Sequence, residues 1–397
     1  MQYDIIIIGG GLVGKSLAIA LRDLNIRIAL LESKPKHIPD ARLFALNYSS
    51  CKLLTFLGVL PKQINHGAII RQVHISHQNH FGAVRLKNTD ARLPYLGQVI
   101  PSDQLEKSLD DALAHVTNVD IYQPAQLLEL TSHDHYVDLK IKTHENEMHC
   151  SAKWVIGADG THSTVRREIK SEEEIIDYQQ TAIVTRVQLQ RSHHNIAYER
   201  FCHHGAIALL PLTELECACI WSLDHDRACE FLALSDAEYL YSLQREFGYR
   251  LGRLQKISAR HSYPLKMVKA KNAVSKRILL LGNAAHTVHP IAAQGLNLAL
   301  YEVAELAEHI IDCLTQHSLT QLSLDQIILQ THNQRRFSLL LSHHLSTLFS
   351  NKSVCLNFLL QSGMLGLELA SPVKMKLIEA VIGQLGRVPK LLRQSSE

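Results

Sequence analysis

No stretch of this 397-residue chain reaches the roughly 18–20 consecutive apolar residues that a membrane-spanning helix needs. The chain has no internal repeat and no low-complexity segment. Its formal net charge is only +3, too small for the basic footprint of a nucleic-acid binder, so no nucleic-acid partner is expected. Eight cysteines (Cys51, Cys150, Cys202, Cys217, Cys219, Cys229, Cys313 and Cys355) lie scattered, without the paired spacing of a zinc site. Cys217 and Cys219 stand two apart in a strand-like stretch, so they share a face and are expected to pack as small apolar residues. The first strand starts almost at Met1 and leaves no room for a signal peptide, which predicts a reducing, cytoplasmic setting. What is present is ordinary globular material, 46% hydrophobic and 20% charged, enough for two domains or for one domain with an inserted lobe. The 24 histidines make the surface more basic below about pH 6.5.

The opening segment "MQYDIIIIGGGLVGKSLAIALRDLNIRIALLESK" carries the first chemistry. Ile5 to Ile8 are β-branched and uninterrupted, as in a parallel strand buried on both faces. Gly9, Gly11 and Gly14 then form G-x-G-x-x-G. The three glycines serve a tight turn, a close approach to a pyrophosphate and a close helix–strand packing. Apolar residues recur at helical spacing from Leu12 to Leu24, so a helix N-terminus aims its free N–H groups at phosphate. A second strand, 26–31, ends at Glu32, whose carboxylate is placed for the two hydroxyls of an adenosine ribose and would repel a 2′-phosphate. Strand, glycines, helix, strand and acid in this order indicate an ADP-containing dinucleotide, NAD or FAD.

Further along, residues 66–90 alternate apolar and polar, as strands with one wet face do. A helix is predicted over 104–116, a β-meander over 120–156, mostly strand over 179–223, a helix over 237–247 and a buried strand over 277–281. Beyond Leu296 the pattern is mainly helical, with breaks near Gly363–Gly366 and at Pro372. The dinucleotide fold thus occupies both ends of the chain around an inserted antiparallel lobe. The expected division is a discontinuous dinucleotide-binding domain (1–70, 95–178, 275–335), a β-sheet substrate lobe (71–94, 179–274) and a C-terminal helical segment (336–397).

Two more motifs follow buried strands: "GADGTHSTVRR" (Gly157–Arg167) and "LLLGNAAHTVHPIAAQGLNLAL" (Leu279–Leu300). With the glycine fingerprint they resemble the three motifs of single-component flavoprotein monooxygenases, the para-hydroxybenzoate hydroxylase group, and the resemblance spans nearly the whole chain. "DARLFALN" and "LGQVIPSDQLEKSL" resemble that family's arginine-bearing and flavin-contact segments. "YQQTAIVTRVQ", "AYERFCHHGAIALLPL" and "GNAAHTVHPIAAQGLNLALYEVAELAE" are most similar to its ubiquinone-biosynthesis hydroxylases, and "AYERF…LP" with Gly282–Asn283 to the branch acting on 2-octaprenyl-6-methoxyphenol.

The resemblance implies an α/β, Rossmann-like FAD-binding domain with an inserted antiparallel β-sheet lobe and C-terminal helices. It implies noncovalent FAD, NADH or NADPH as co-substrate, O2, a flavin hydroperoxide and a polyprenyl phenol substrate. Carried over by position, Gly9, Gly11 and Gly14 face the pyrophosphate and Glu32 the ribose. Arg42 serves phosphate or flavin, Gln98 is a polar flavin contact, and Asp159 with Gly160 lies near the pyrophosphate and the visiting nucleotide. Gly282 and Asn283 meet the ribityl chain, and Gly295, Leu296 and Asn297 offer N–H groups to the flavin's pyrimidine end. No metal and no substrate-deprotonating residue is identified. The chain departs from the pattern at Asn283 (more usually Asp), Ala293 (more usually Gly) and Ala206 (often Pro). Three alternatives stay open: a sister hydroxylase, a flavin-dependent prenyl-lipid reductase that would share the same motifs, and a non-catalytic flavin-bound member of a biosynthetic complex, which Ala293 and Asn283 motivate.

Several side chains have two readings. Asp159 caps the next helix, meets the cofactor, or does both. Arg166 and Arg167 are cofactor-side groups or surface charges. His286 and His289 are pocket groups rather than a metal pair, while His203, His204, His343 and His344 are solvated. The stretch "KMKLIEAVIGQLGRVPKLLRQ" is either an interfacial surface that meets anionic lipid at the inner face of the membrane and admits a polyprenyl tail, or a helix packed on the flavin domain with a basic outer face. The resemblance also implies other ubiquinone-biosynthesis proteins as partners.

Overall fold

The computed structural model describes the chain outside 36–41, 62–68, 79–81, 145, 203–204, 288–293 and 394–397; within 317–369 it describes only 319, 323, 324, 331, 335, 336, 366 and 368. The first half runs β1 (Gln2–Ile8), α1 (Leu12–Ala20), β2 (Ile28–Leu31), β3 (Leu43–Asn47), α2 (Tyr48–Phe56), β4 (Ile69–Ile70), β5 (Gln72–His77), β6 (Ala83–Lys87), β7 (Gly97–Pro101), α3 (Ser102–Leu113), β8 (Val119–Tyr122), β9 (Ala125–Ser132), β10 (Val137–Thr143), β11 (Glu147–Gly157) and α4 (Thr164–Glu168). There follow β12 (Glu173–Leu189), β13 (Ile196–Cys202), β14 (Gly205–Thr213), β15 (Glu216–Asp224), α5 (His225–Ala233), α6 (Asp236–Phe247), β16 (Leu254–Ile257), β17 (His261–Ala270), β18 (Val274–Ser275), β19 (Ile278–Leu280), a 3-10 turn at Gly282–Ala284, β20 (His286–Thr287) and α7 (Gln294–Gln316). Two described C-terminal helices close the chain, α8 (Ser371–Val381) and α9 (Lys390–Arg393).

The isoleucine run behaves as its composition dictates. Ile5, Ile6 and Ile7 are 0% exposed, because β1 lies between parallel neighbours, β11 on one side and β2 on the other. The sheet runs β18-β19-β11-β1-β2-β8, with β9 and β10 attached through β11. α1 stops at Ala20, short of the expected Leu24. Leu21 N–H is shared between the carbonyls of Leu17 and Ala18, and Arg22 N–H donates to Ile19 O, so three-residue turns tighten the helix end before β2. The meander is shorter than the alternation suggests: β9, β10 and β11 form it, while β8 leaves to pair in parallel with β2.

The lobe is a nine-stranded sheet, β20-β17-β12-β15-β14-β13-β5-β6, with β16 on β12. It is antiparallel except where β5 lies parallel to β13, which is how residues 72–87 reach a sheet otherwise built from the middle of the chain. β12 begins at Glu173 and β20 adds residues 286–287, so strands from stretches expected in the flavin domain join this sheet. One face packs on α5 and α6 around Trp221, Tyr239 and Phe247. Cys217 and Cys219 lie on that face at 0% exposure, as the two-residue spacing predicts. A small sheet, β3-β7-β4, bridges the two large ones.

Three acids lie on the buried side of α7, with Glu302, Glu305 and Glu308 at 1%, 0% and 3% exposure. The C-terminal segment answers Glu308 with a basic and a backbone group, and α7 itself answers Glu305. Arg387 pairs with Glu308 at 2.7 Å, the Lys390 N–H donates to Glu308 at 2.6 Å, and Tyr301 O–H donates to Glu305. Leu391 and Leu392 join the core of the flavin-domain sheet. The segment after Gly383 therefore follows the packed-helix reading, and its basic residues serve internal acids as much as an outer face. Among the described residues, no helix is long and apolar enough to cross a membrane.

Candidate active site

A cavity of about 2010 Å³ runs from the glycine turn after β1 to the inner face of the lobe sheet. At the first end the backbone does the shaping. Gly9 has φ +109°, and a Cβ there would stand 2.3 Å from Ala158 O. A Cβ on Gly14 would stand 1.9 Å from Gly9 O, so this position admits only glycine. Gly11 meets nothing within 4 Å and opens on the cavity. The three glycines thus divide the work: two hold helix, turn and strand together, and one faces the ligand space.

Glu32, at the end of β2, is held by the turn itself. Gly10 N–H donates to Oε2 at 2.8 Å and Lys34 N–H to Oε1 at 2.7 Å. Both bonds fix the carboxylate at the cavity wall. Lys15, just past the triplet, is 4% exposed and pairs with Asp110 at 2.6 Å, tying α1 to α3. Its position in the glycine motif did not reveal this partner, because α3 is almost a hundred residues away in sequence.

Asp159 performs one role and leaves room for another. Its Oδ2 accepts from Thr164 N–H (2.7 Å) and Val165 N–H (3.1 Å), capping α4. Its Oδ1 is buried and has no partner among the described residues. Next to it, Gly160 (φ +81°) is open. Arg166 is 3% exposed, which overturns the surface-charge reading for that residue; Arg167 remains exposed. The Arg166 guanidinium donates to Thr161 O, Ala284 O and Glu173 and so joins the two loops that flank the cavity.

At the middle of the cavity, Asn297 works through its side chain. Its Oδ1 accepts from Asn47 N–H at 2.8 Å and its Nδ2 donates to Ala45 O at 2.9 Å, stapling β3 to the first turn of α7. Gly295 and Leu296 line the cavity beside it, as do Arg42 and Asn283. Gln98, Gly14 and Gly282 are not on the wall. Gly282 (φ +57°) instead donates its N–H to Glu302 at 3.2 Å, and Arg335 Nε donates to the same carboxylate at 3.0 Å. His286 lies 3.6 Å from Glu302. Burial, with Arg335 and Lys269 adding to it against Glu302, pushes the imidazole down to about 4. It is a neutral group behind the loop. His289, His203, His204, His343, His344 and Ala293 lie outside the described residues, and no cluster of metal-ligating side chains occurs among those described.

The far end is a different surface. Register across the lobe sheet aligns Val84, Ile75, Glu199, Ala208, Ile220 and Val184 in one row facing the cavity. Leu377 and Val381 of α8 close it from outside. Glu199 is the single carboxylate on this aliphatic wall. It makes no hydrogen bond or ion pair among the described residues, and burial alone pushes its carboxyl up to about 7. Sequence reasoning missed it, although the period-2 pattern of "IAYERFC" sets Glu199 on the same face as Ala197 and Phe201.

A family model described as FAD binding domain matches residues 2–326. The chain belongs to the FAD binding domain family. Among its relatives, ubiquinone hydroxylase UbiL of Rhodospirillum rubrum is 29% identical over 78% of this chain and 72% of its own length. The 3-demethoxyubiquinol 3-hydroxylase of Escherichia coli is 26% identical over 96% and 98%. Among solved structures, the p-nitrophenol 4-monooxygenase PnpA of Pseudomonas putida superposes with a TM-score of 0.80 at 20% identity, covering 98% of this chain and 100% of that one. The fold is that of the flavin-dependent monooxygenases, and FAD is the cofactor of the family. The site fits it: a turn that only glycine at 9 and 14 can form, with Gly11 open on the cavity, a carboxylate preset at the end of β2, and a buried oxygen on Asp159 without a partner among the described residues.

Proposed function

We propose that this protein hydroxylates the ring of a prenylated phenol in ubiquinone biosynthesis, with FAD bound noncovalently, NADH or NADPH as reductant and O2 as oxidant. The observation that carries the reading is the single cavity joining the glycine cradle to an aliphatic wall. Bound FAD supplies the redox and oxygen chemistry. The chain's own residues bind, orient and exclude water. The N–H groups at Gly11 and the start of α1 take the pyrophosphate, and Glu32 accepts from the ribose hydroxyls. Asp159 Oδ1 and Gly160 meet the linker, joined by Asn283, with Arg42 opposite. The backbone at Gly295, Leu296 and Asn297 offers donors to the pyrimidine end of the flavin.

The finer reading is a polyprenylated methoxyphenol. "AYERF" and "GNAAHTVHP" support it, as do the ubiquinone hydroxylases among the relatives. Each methylene of the tail favours an apolar site by about 0.8 kcal/mol, so the substrate must come from a bilayer or a carrier. Peripheral contact with the inner face of the membrane at α8 suits this route. That helix lines the cavity with Leu377 and Val381 and exposes Val373 and Lys376 outward.

The test is complementation of strains blocked at each ring hydroxylation, with oxygen uptake by purified protein. Rescue of the strain that accumulates octaprenyl-methoxyphenol supports the finer reading, and rescue of another single strain moves the assignment to a sister hydroxylase. NADH oxidation without phenol-dependent oxygen uptake, with no strain rescued, overturns the hydroxylase reading.

A further inference from the structure

The lobe wall contains one residue that its surroundings do not explain. β13 sends the side chains of Ala197, Glu199 and Phe201 toward the cavity; Tyr198 also contributes to the lining but packs its ring on His74 and Phe247, and Arg200 and Cys202 turn to that same side. Arg200, the adjacent cation, turns from the cavity to donate to Glu246 O beneath the sheet. The neighbours of Glu199 in its own row are Ile75 on β5 and Ala208 on β14. Their diagonals are Val73 and His77 on β5 and Ala206 and Leu210 on β14; three are apolar, and His77 engages Gln78 O through Nδ1. The other titratable or charged side chains on this face stand further off, at its margins: Tyr263 and His261 on β17, Arg186 on β12, and Glu216 and Asp224 at the two ends of β15. From the covering elements, α8 presents Leu377 and Val381, both apolar. The charged lining residues, Lys15, Glu32, Arg42 and Asp159 among them, belong to the nucleotide end. None of these groups moves the Glu199 equilibrium; burial is its only cause.

Glu199 is only partly buried and its carboxylate opens on the cavity, with no donor to it among the described residues. A desolvated carboxylate without a donor costs about 1–3 kcal/mol, and the occupant of the cavity is the group placed to supply one. On the proposed-function reading, the ligand in this part of the cavity is a phenol, and its one hydroxyl proton is the donor that an aliphatic wall lacks.

We propose that Glu199 is the base that takes the proton of the substrate hydroxyl, a catalytic residue of the lobe wall. The phenolic O–H bond breaks, an O–H bond forms on the Glu199 carboxylate, and the electron pair left on oxygen enriches the ring at its ortho and para carbons, where hydroxylation occurs. The proton leaves Glu199 to water when the product departs. The charge balance holds throughout: one negative charge moves from carboxylate to phenolate, and the wall never carries two. A carboxyl pushed up to about 7 is closer to a phenol, with its ordinary value of about 10, than a solvated glutamate is, and it ionises near operating pH.

The inference rests on the hydroxylase reading, and the test separates them. Holoenzyme reconstituted with FAD is assayed with 6-farnesyl-2-methoxyphenol and with its ring-difluorinated analogue, whose hydroxyl is more acidic. Wild type is expected to lose kcat as pH falls through about 7. Glu199→Gln is expected to lose that limb and about a hundredfold in hydroxylation rate, with FAD affinity and flavin reduction by NADH unchanged. The deficit should shrink for the fluorinated phenol, which needs less help to ionise, while Glu199→Asp keeps the pH limb at an intermediate rate.

A readout independent of activity is thermal denaturation. A carboxyl raised to about 7 in the fold loses stability as pH rises from its unfolded value of about 4.3 through 7, so the Tm of Glu199→Gln should exceed wild type at pH 8 and match it near pH 4. Glu199→Gln with an unchanged rate and pH limb in an active hydroxylase overturns the base and leaves the hydroxylase reading standing. An equal loss for both phenols overturns it too. Wild type that reduces FAD and oxygenates neither phenol overturns both.

Discussion

The two ends of the cavity are built by opposite means. The nucleotide end is made of backbone: a glycine turn, helix N-termini, and acids held by N–H groups, such as Glu32 and Asp159. The lobe end is made of side chains on six strands, all aliphatic along one row except Glu199. A charged, common ligand fragment is recognised through peptide groups that every sequence possesses, so the constraint falls on where side chains must be missing. A greasy substrate is recognised by bulk, so the constraint falls on which residues the register brings side by side.

The largest effect should come from breaking the backbone end. Gly14→Val places its first side-chain carbon where Gly9 O already stands, 1.9 Å away. FAD binding is expected to be lost outright, and fluorimetric titration of the apoprotein checks it. Retained affinity would mean that the cofactor does not use this turn.

Next in size is the pH response, in which the two ends behave alike. His74, behind the lobe wall, and His286, behind the flavin loop, are each 4% exposed. Burial pushes both down to about 4, helped at His74 by Arg250, Arg85 and Arg200 and at His286 by Arg335 and Lys269. Each is neutral when folded, and each charges on unfolding anywhere between about pH 4 and 6.5. The unfolded state therefore binds more protons in that window, and stability falls as pH drops through it, on the order of 3 kcal/mol for each histidine. Urea denaturation at pH 7 and pH 4.5 should show a smaller loss in His74→Gln than in wild type. Equal losses would place the acid sensitivity elsewhere.

Glu32→Ala tests the nucleotide end more gently. Removing a charged acceptor from the ribose should weaken FAD by about 1.5–3 kcal/mol, without affecting binding of a prenylated phenol to the loaded protein. The mirror experiment is Ala208→Leu, which thickens the wall beside Glu199. Affinity for 6-farnesyl-2-methoxyphenol should fall about tenfold, or roughly 1.4 kcal/mol, with FAD titration unchanged. If either variant moved both ligands equally, the two ends would not be independent.

Legibility followed the same division. The isoleucine run, the glycine spacing and Glu32 were readable because their meaning lies within thirty residues, where backbone geometry is local. The strand placements of the lobe were readable too, from period-2 alternation. Glu199 was not singled out, because an acid in a strand means solvent unless one knows what faces it. Arg166 was undecided for the same reason: its three acceptors lie on Thr161, Glu173 and Ala284, and the last is more than a hundred residues away. The acids of α7 were not singled out either: their burial is set by what packs on the helix, including Arg387 and Lys390, which return onto Glu308.

The sequence by itself determined that the chain binds an ADP-containing dinucleotide, because a glycine that cannot carry a Cβ and an acid at a strand end are local requirements. Together with its two later motifs it also pointed to FAD. The tertiary structure decided which glycine faces the ligand, that one oxygen of Asp159 is spent on a helix cap while the other is free, and that Gln98 stands off the wall. It also decided that a lone carboxylate sits among aliphatic side chains, since β5 reaches β13 only through a parallel pairing between segments more than a hundred residues apart. Burial and register are properties of neighbours, and neighbours distant in the chain are set only when the sheet closes.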